Sequence, residues 1–96
     1  MTEHYPAQNP RAAWRVYEGE AVIVSPEDSR FHTLNAVGTL IWEAADGRTP
    51  LGAIVTRICA EYAVDPDAAV RDARAFVSAL CARGLMELRE TPAETG

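Results

Sequence analysis

Apolar positions alternate or cluster in short runs up to residue 34 and recur every three or four residues from residue 35 onward. The first regime predicts strands and the second helices. Trp14 to Tyr17 is aromatic and β-branched, and Glu18-Gly19 supplies a turn. Glu20 to Ser25, with Ala-Val-Ile-Val at its centre, is apolar on both faces, as a central strand should be. Pro26-Glu27-Asp28-Ser29 is a second turn cluster, and Arg30 to Leu34 reads as a third strand. Two tight connections imply an antiparallel meander with the second strand in the middle. The third strand is then an edge, unless the C-terminal segment 85–90 pairs beside it or beside the first strand.

Three helices follow. Asn35 can cap the first, in which Val37, Leu40, Ile41 and Ala44 repeat at helical spacing, and Asp46-Gly47 ends it. Thr49-Pro50 is a start signal, a capping hydroxyl followed by proline at the first helical position. The second helix would bury Leu51, Ile54, Val55, Ile58 and Tyr62. Asp65-Pro66 repeats the start signal, and Asp67 complements the positive helix end. The third helix runs to about Arg83, with Gly84 as C-terminal cap. Its apolar stripe is Val70, Ala73, Phe76 or Val77, and Leu80, while Arg71, Arg74, Ala75, Ser78 and Ala82 occupy the other side.

The fold expected is therefore α+β: a three-stranded antiparallel sheet followed by three helices covering one face. The short gap at Ala63-Val64 fits a winged helix-turn-helix-like arrangement. Residues 1–12 are polar, contain Pro6 and Pro10 and lack periodicity, so they read as a flexible arm; 13–89 form the domain, and 90–96 a flexible tail. The N-terminus has neither a basic start nor an apolar segment, and no apolar run reaches membrane length, which points to a cytoplasmic protein without a membrane partner.

The 96 residues carry nine Arg, no Lys and fourteen acids, for a net charge of −5. That balance argues against nucleic acid as the partner, because phosphate binding needs clustered cations. Lysine chemistry is excluded outright. Cys59 and Cys81 are not in a Cys-x-x-Cys pair and fall among apolar helix residues, so they read as reduced core thiols rather than a disulfide. Trp14 and Trp42 read as core residues. His4 and His32 have no Cys or carboxylate at ligand spacing, so no metal site and no cofactor is expected. The acid pairs Glu27-Asp28 and Asp65/Asp67 already serve a turn and a helix start, and the glycines form no phosphate cradle. The residues do not describe an enzyme.

Recognition remains. A free strand edge presents unpaired N–H and C=O groups that can accept an extended peptide as a further strand. Four to six such bonds yield about 4–6 kcal/mol net, against an association cost of roughly 4–15 kcal/mol. Side-chain contacts must therefore contribute, and the third-helix face with Ala75, Ser78 and Ala82 beside the strand is the expected wall. Arg71 and Arg74 could pair with acidic ligand residues. A second copy of the chain is another candidate for the open edge.

The ordered set Leu34-Asn35, Ile41-Trp42, Asp46-Gly47, Ile54, Val70, Phe76, Leu80 and Gly84-Leu85 resembles the PqqD-like proteins over about residues 14–86. The resemblance implies a recognition element of ribosomally made, post-translationally modified peptide pathways. Such domains bind the leader of a precursor peptide and present it to a modifying enzyme. That enzyme is a radical SAM protein in pyrroloquinoline quinone synthesis and a leader protease in lasso peptide pathways. The leader adds to the third strand and lies against the third helix. On this chain the implied contacts are Arg30, Phe31, His32, Thr33 and Leu34, with Arg71, Arg74, Ala75 and Ser78. The alternative is a winged-helix DNA-binding or regulatory domain, but residues 65–83 hold three Asp and three Arg and make no basic recognition helix.

Overall fold

The computed structural model describes residues 4–92. Strands β1 (Tyr5–Gln8), β2 (Ala13–Tyr17), β3 (Glu20–Val24) and β4 (Phe31–Thr33) lead into helices α1 (Ala36–Ala44), α2 (Leu51–Tyr62) and α3 (Pro66–Ala82) and a last strand, β5 (Met86–Arg89). The expected meander is present as a three-stranded antiparallel sheet in the order β2-β3-β4. Glu18 and Gly19 both have positive φ, 51° and 84°. A two-residue turn of that kind matches strand twist and locks the β2–β3 register. Ala21 and Ile23 of β3 are fully buried under the helices, and the opposite face of the sheet carries the half-buried Val22 and Val24.

The N-terminal segment differs from expectation. Residues 5–8 are not a loose arm: β1 pairs antiparallel with β5, with Tyr5 opposite Arg89 and Gln8 opposite Met86. The 85–90 segment accordingly pairs with neither the first nor the third strand of the meander. Pro6 hid the strand from pattern reading, yet it costs the ladder nothing where its nitrogen faces away from β5. Its carbonyl also faces away, accepting from Gly47 N–H at 2.8 Å. Gln8 bonds the end of α1 through its backbone N–H to Ala45 O (3.0 Å) and through Nε2 to Trp42 O (2.7 Å). The carbonyls left over at a helix C-terminus need such partners. The expected tail at 90–96 lies mostly outside the described residues.

Helix starts follow the capping logic in two cases of three. Asn35 Oδ1 accepts Gly38 N–H at 2.8 Å, and Asp65 Oδ2 accepts Ala68 N–H at 3.1 Å. Thr49 does not cap α2, which begins one residue later with Pro50 as a cap that makes no side-chain bond. Instead the Asp46 carboxylate gathers the N–H groups of Arg48 and Thr49 and the Thr49 hydroxyl. Burial opposes ionisation of Asp46, but those three donors outweigh it and hold its carboxyl below the usual range.

The core is built from Ile23, Leu34, Ile41, Trp42, Ile54, Ile58, Val77, Leu80 and Leu85 with smaller neighbours. Tyr62, expected inside, is 38% exposed. Trp42 is fully buried, whereas Trp14 sits on the edge strand β2 at 36% exposure and meets Trp42 edge to face, centroids 6.0 Å apart. Gly38 lets α3 approach: a Cβ there would lie 3.0 Å from Phe76 Cε1 and 3.3 Å from Asn35 Oδ1. No such neighbour surrounds Gly52 in α2.

One junction joins sheet to helices. Leu34 N–H donates to Ala21 O at 2.8 Å, while Ala21 N–H, which a longer strand would pair, donates to Thr39 Oγ1 of α1 at 2.8 Å. Thr39→Val keeps the shape but orphans a buried N–H, so denaturant titration should show a loss of about 1–3 kcal/mol. Gly52→Ala should add roughly 0.5–1 kcal/mol through helix propensity. Gly38→Ala should instead lose about 1 kcal/mol by displacing the Phe76 ring. Because the folded pKa of Asp46 is depressed, its contribution is present above the unfolded carboxylate pKa, about 3.9, and is lost as pH falls through the lowered folded value. Asp46→Asn should therefore flatten the acid limb of the stability–pH curve measured by thermal melts.

Candidate functional site

The third strand's hydrogen-bonding direction follows from its register. Ser25 N–H donates to Arg30 O, and Leu34 N–H donates to Ala21 O, so residues 30 and 34 face β3. Antiparallel pairs alternate between bonded and non-bonded positions, and the register is Ile23–His32 flanked by Val24–Phe31 and Val22–Thr33. His32 therefore also faces β3 with its backbone. Phe31 and Thr33 both direct their N–H and C=O outward, where β4 has no strand neighbour among the described residues. Side chains follow the opposite rule. His32 lies opposite buried Ile23 and shares its helix-side face, whereas Phe31, 74% exposed, and Thr33 lie on the open face.

The strand is held stiff at both ends. Leu34 is buried in the core and pins the C-terminal end. At the other end Asp28 Oδ1 accepts Arg30 N–H at 3.1 Å, and Arg30 Nε lies 3.6 Å from Asp28 Oδ2. The Arg30 N–H, with a Ser25 hydrogen bond, lowers the Asp28 pKa from its ordinary value. Ser29 takes a left-handed conformation, φ 57°, to close that turn.

Helix α3 reaches β4 from the helix side. Arg83 Nη1 lies 3.2 Å from His32 Nδ1. A guanidinium only donates, so Nδ1 is the acceptor and the proton of the neutral ring sits on Nε2. Seven residues earlier, the Phe76 ring rests against Gly38, in the first turn of α1 just past the end of β4. The helix thus runs antiparallel to the strand. At about 100° per residue, Asp72, Phe76, Ala79 and Arg83 form one stripe on that side.

The site residues read from the sequence divide in two. Arg30, Phe31, His32, Thr33 and Leu34 form the β4 segment, of which Phe31 and Thr33 present their backbone outward, His32 faces the helix side and Leu34 is buried. Ala75 borders the α3 stripe at roughly 80° from Arg83, but Arg71, Ser78 and Arg74 lie about 120–180° away from it on an exposed face. Asp72, Ala79 and Arg83, which lie on the stripe facing β4, were not singled out from the sequence, and Phe76 was read only as core. Their 72-76-79-83 spacing is a one-face pattern, but the sequence could not say which face meets β4.

Other surfaces offer less chemistry. A shallow hollow of about 260 Å³ lies on the open sheet face between Tyr17, Val22, Val24 and Phe31. A more polar one of about 170 Å³ lies between the β2–β3 turn, α1 and α2, with Glu43, Arg57 and Glu61 in its walls. Both cysteines are free thiols, and burial, with the Glu87 charge, pushes Cys81 up. Among the described residues no three His, Cys, Asp or Glu gather as a metal site, and no helix is long and apolar enough to cross a membrane.

Comparison with known proteins places the chain in a family. Residues 20–86 match the family model described as Coenzyme PQQ synthesis protein D (PqqD). Among solved structures, TbiB1 in complex with the TbiA(beta) leader peptide superposes with a TM-score of 0.77 at 31% identity, covering 84% of this chain and 94% of that one. Lasso peptide synthetase B1 complexed with the leader peptide gives 0.73 at 22% identity, covering 85% and 96%, which establishes shared fold. No curated protein matches the chain.

Proposed function

The chain belongs to the PqqD family, and from that premise we propose that it captures the leader of a ribosomally made precursor peptide as an added strand on β4. It is a non-catalytic, cytoplasmic recognition element that presents the leader to a modifying enzyme, such as a radical SAM protein or a leader protease. The observation that carries this reading is the outward-facing backbone of Phe31 and Thr33 on a strand fixed at both ends. A relative at 31% identity in complex with a leader peptide supports it. The α2–α3 pair, joined through residues 63–65, favours a helix-turn-helix-like description of the helical layer. Mixed Asp and Arg on α3 and the net charge of −5 give DNA no basic surface.

Energetics sets the division of labour. Phe31 and Thr33 offer four backbone groups, worth about 4 kcal/mol together at roughly 1 kcal/mol net each. Association costs at least that much. The backbone therefore fixes the register, and the side chains along β4 and the α3 stripe supply the surplus affinity.

The test is titration calorimetry with synthetic leader peptides of ribosomally made precursors, beginning with the TbiA(beta) leader bound by the relative. Phe31→Pro and Thr33→Pro each remove an outward donor without touching the β3 ladder. Each should weaken binding at least tenfold while the melting curve stays close to wild type. His32→Pro removes an inward donor and should lower stability instead. Unchanged leader affinity in both outward variants would sink the edge-strand reading.

A further inference from the structure

Resting on that reading of the β4 edge, we propose that Arg83, oriented by His32, is a specificity-determining residue that selects leaders carrying Asp or Glu opposite His32. Cross-strand partners share a face, so the leader residue paired with His32 projects its side chain toward the helix side of the sheet. On the leader side of β4, positions 31 and 33 are the hydrogen-bonded ones. The position opposite His32 is therefore a non-bonded pair, in which side chains come closest. The group waiting there is Arg83, whose Nη1 is fixed 3.2 Å from His32 Nδ1. That bond uses one of five guanidinium donors and leaves the rest of the fork available for a carboxylate.

Among the described residues Arg83 has no carboxylate within ion-pair distance, whereas Arg30, on the same strand edge, is paired with Asp28. Asp72, at the far end of the α3 stripe, lies about 16 Å along the helix from Arg83. That is about twice the Debye length at physiological salt, so it does not neutralise Arg83. It does disfavour an acid at the opposite end of the strip. In a chain of net charge −5, one oriented cation on the docking strip gives positional rather than general attraction. A cation at a helix C-terminus also complements the dipole; that role needs only a positive charge and would give no peptide selectivity.

A random dodecapeptide library displayed on mRNA and selected on the immobilised full chain separates the two. Wild type should enrich Asp or Glu at one position, and Arg83→Glu should replace it with Lys or Arg at that same position. In calorimetry on a selected peptide, Glu→Gln should lose roughly tenfold to a hundredfold on wild type and about twofold or less on Arg83→Gln. Arg83→Lys keeps the dipole partner but lacks the fork, so it should recover the preference only in part. Enrichment of the same acidic position by Arg83→Glu would overturn the proposal. So would equal losses for the Glu and Gln peptides on Arg83→Gln. Selected peptides whose affinity ignores Thr33→Pro would instead refute the β4 site itself, and a wild-type pool with no enrichment would refute peptide capture altogether.

Discussion

Ala21 is where the architecture turns. Its carbonyl accepts from Leu34 and its N–H donates to the Thr39 hydroxyl, so one residue of the central strand is bonded to the last residue before the helix cap and to the helix itself. A strand that continued past Leu34 would have taken both groups. By substituting a side-chain oxygen for the next backbone carbonyl, the chain ends β4 after three residues and seats α1 on β3 without orphaning a buried donor. Asn35 begins that helix at once, its own side chain closing the first turn. The short strand is thus clamped in register while its outer edge stays open.

The remaining strands explain why no other strand among the described residues covers that edge. The C-terminal segment could have paired beside the meander, but it pairs with β1, and β1 in turn satisfies the end of α1 through Gln8, Pro6 and the loop at Asp46. The helical layer is closed at its base by this two-stranded ribbon. What is left exposed is a stiff strand with two outward residues and, beside it, a helix stripe with one oriented cation. Open edges are usually blunted by charge, proline or a bulge. Here Phe31 and Thr33 do none of these, which suits an edge that is completed by a partner chain.

Family membership and physical reading each support the proposal of peptide capture, and each contributes something different. The relative TbiB1 is solved with a leader peptide, which supports the proposed class of ligand. The register supplies which amides are available, and the Arg83–His32 contact underlies the proposed side-chain preference, which depends on this chain's own residues. Backbone pairing is nearly sequence-blind, so discrimination among leaders must come from groups like these.

Much of the fold was legible in the residues. Periodicity located three strands and three helices, Glu18-Gly19 set the hairpin, Asn35 and Asp65 marked helix starts, and the acidic, lysine-free composition turned attention from phosphate to peptide. Strand β1 was not legible, because Pro6 and a short polar run carry no alternation and their pairing depends on β5, some eighty residues away. Which side of α3 faces β4 was not legible either: Arg71, Arg74 and Ser78 are exposed and lie away from the stripe that meets the strand, and an exposed helix face looks the same all round in sequence. The outward direction of Phe31 and Thr33, and the stripe that meets them, depend on how α3 crosses the sheet. Local patterns decide which elements form and which faces are apolar; only packing, through Ala21, Gly38 and Arg83, decides which edge stays open and which side chain waits beside it.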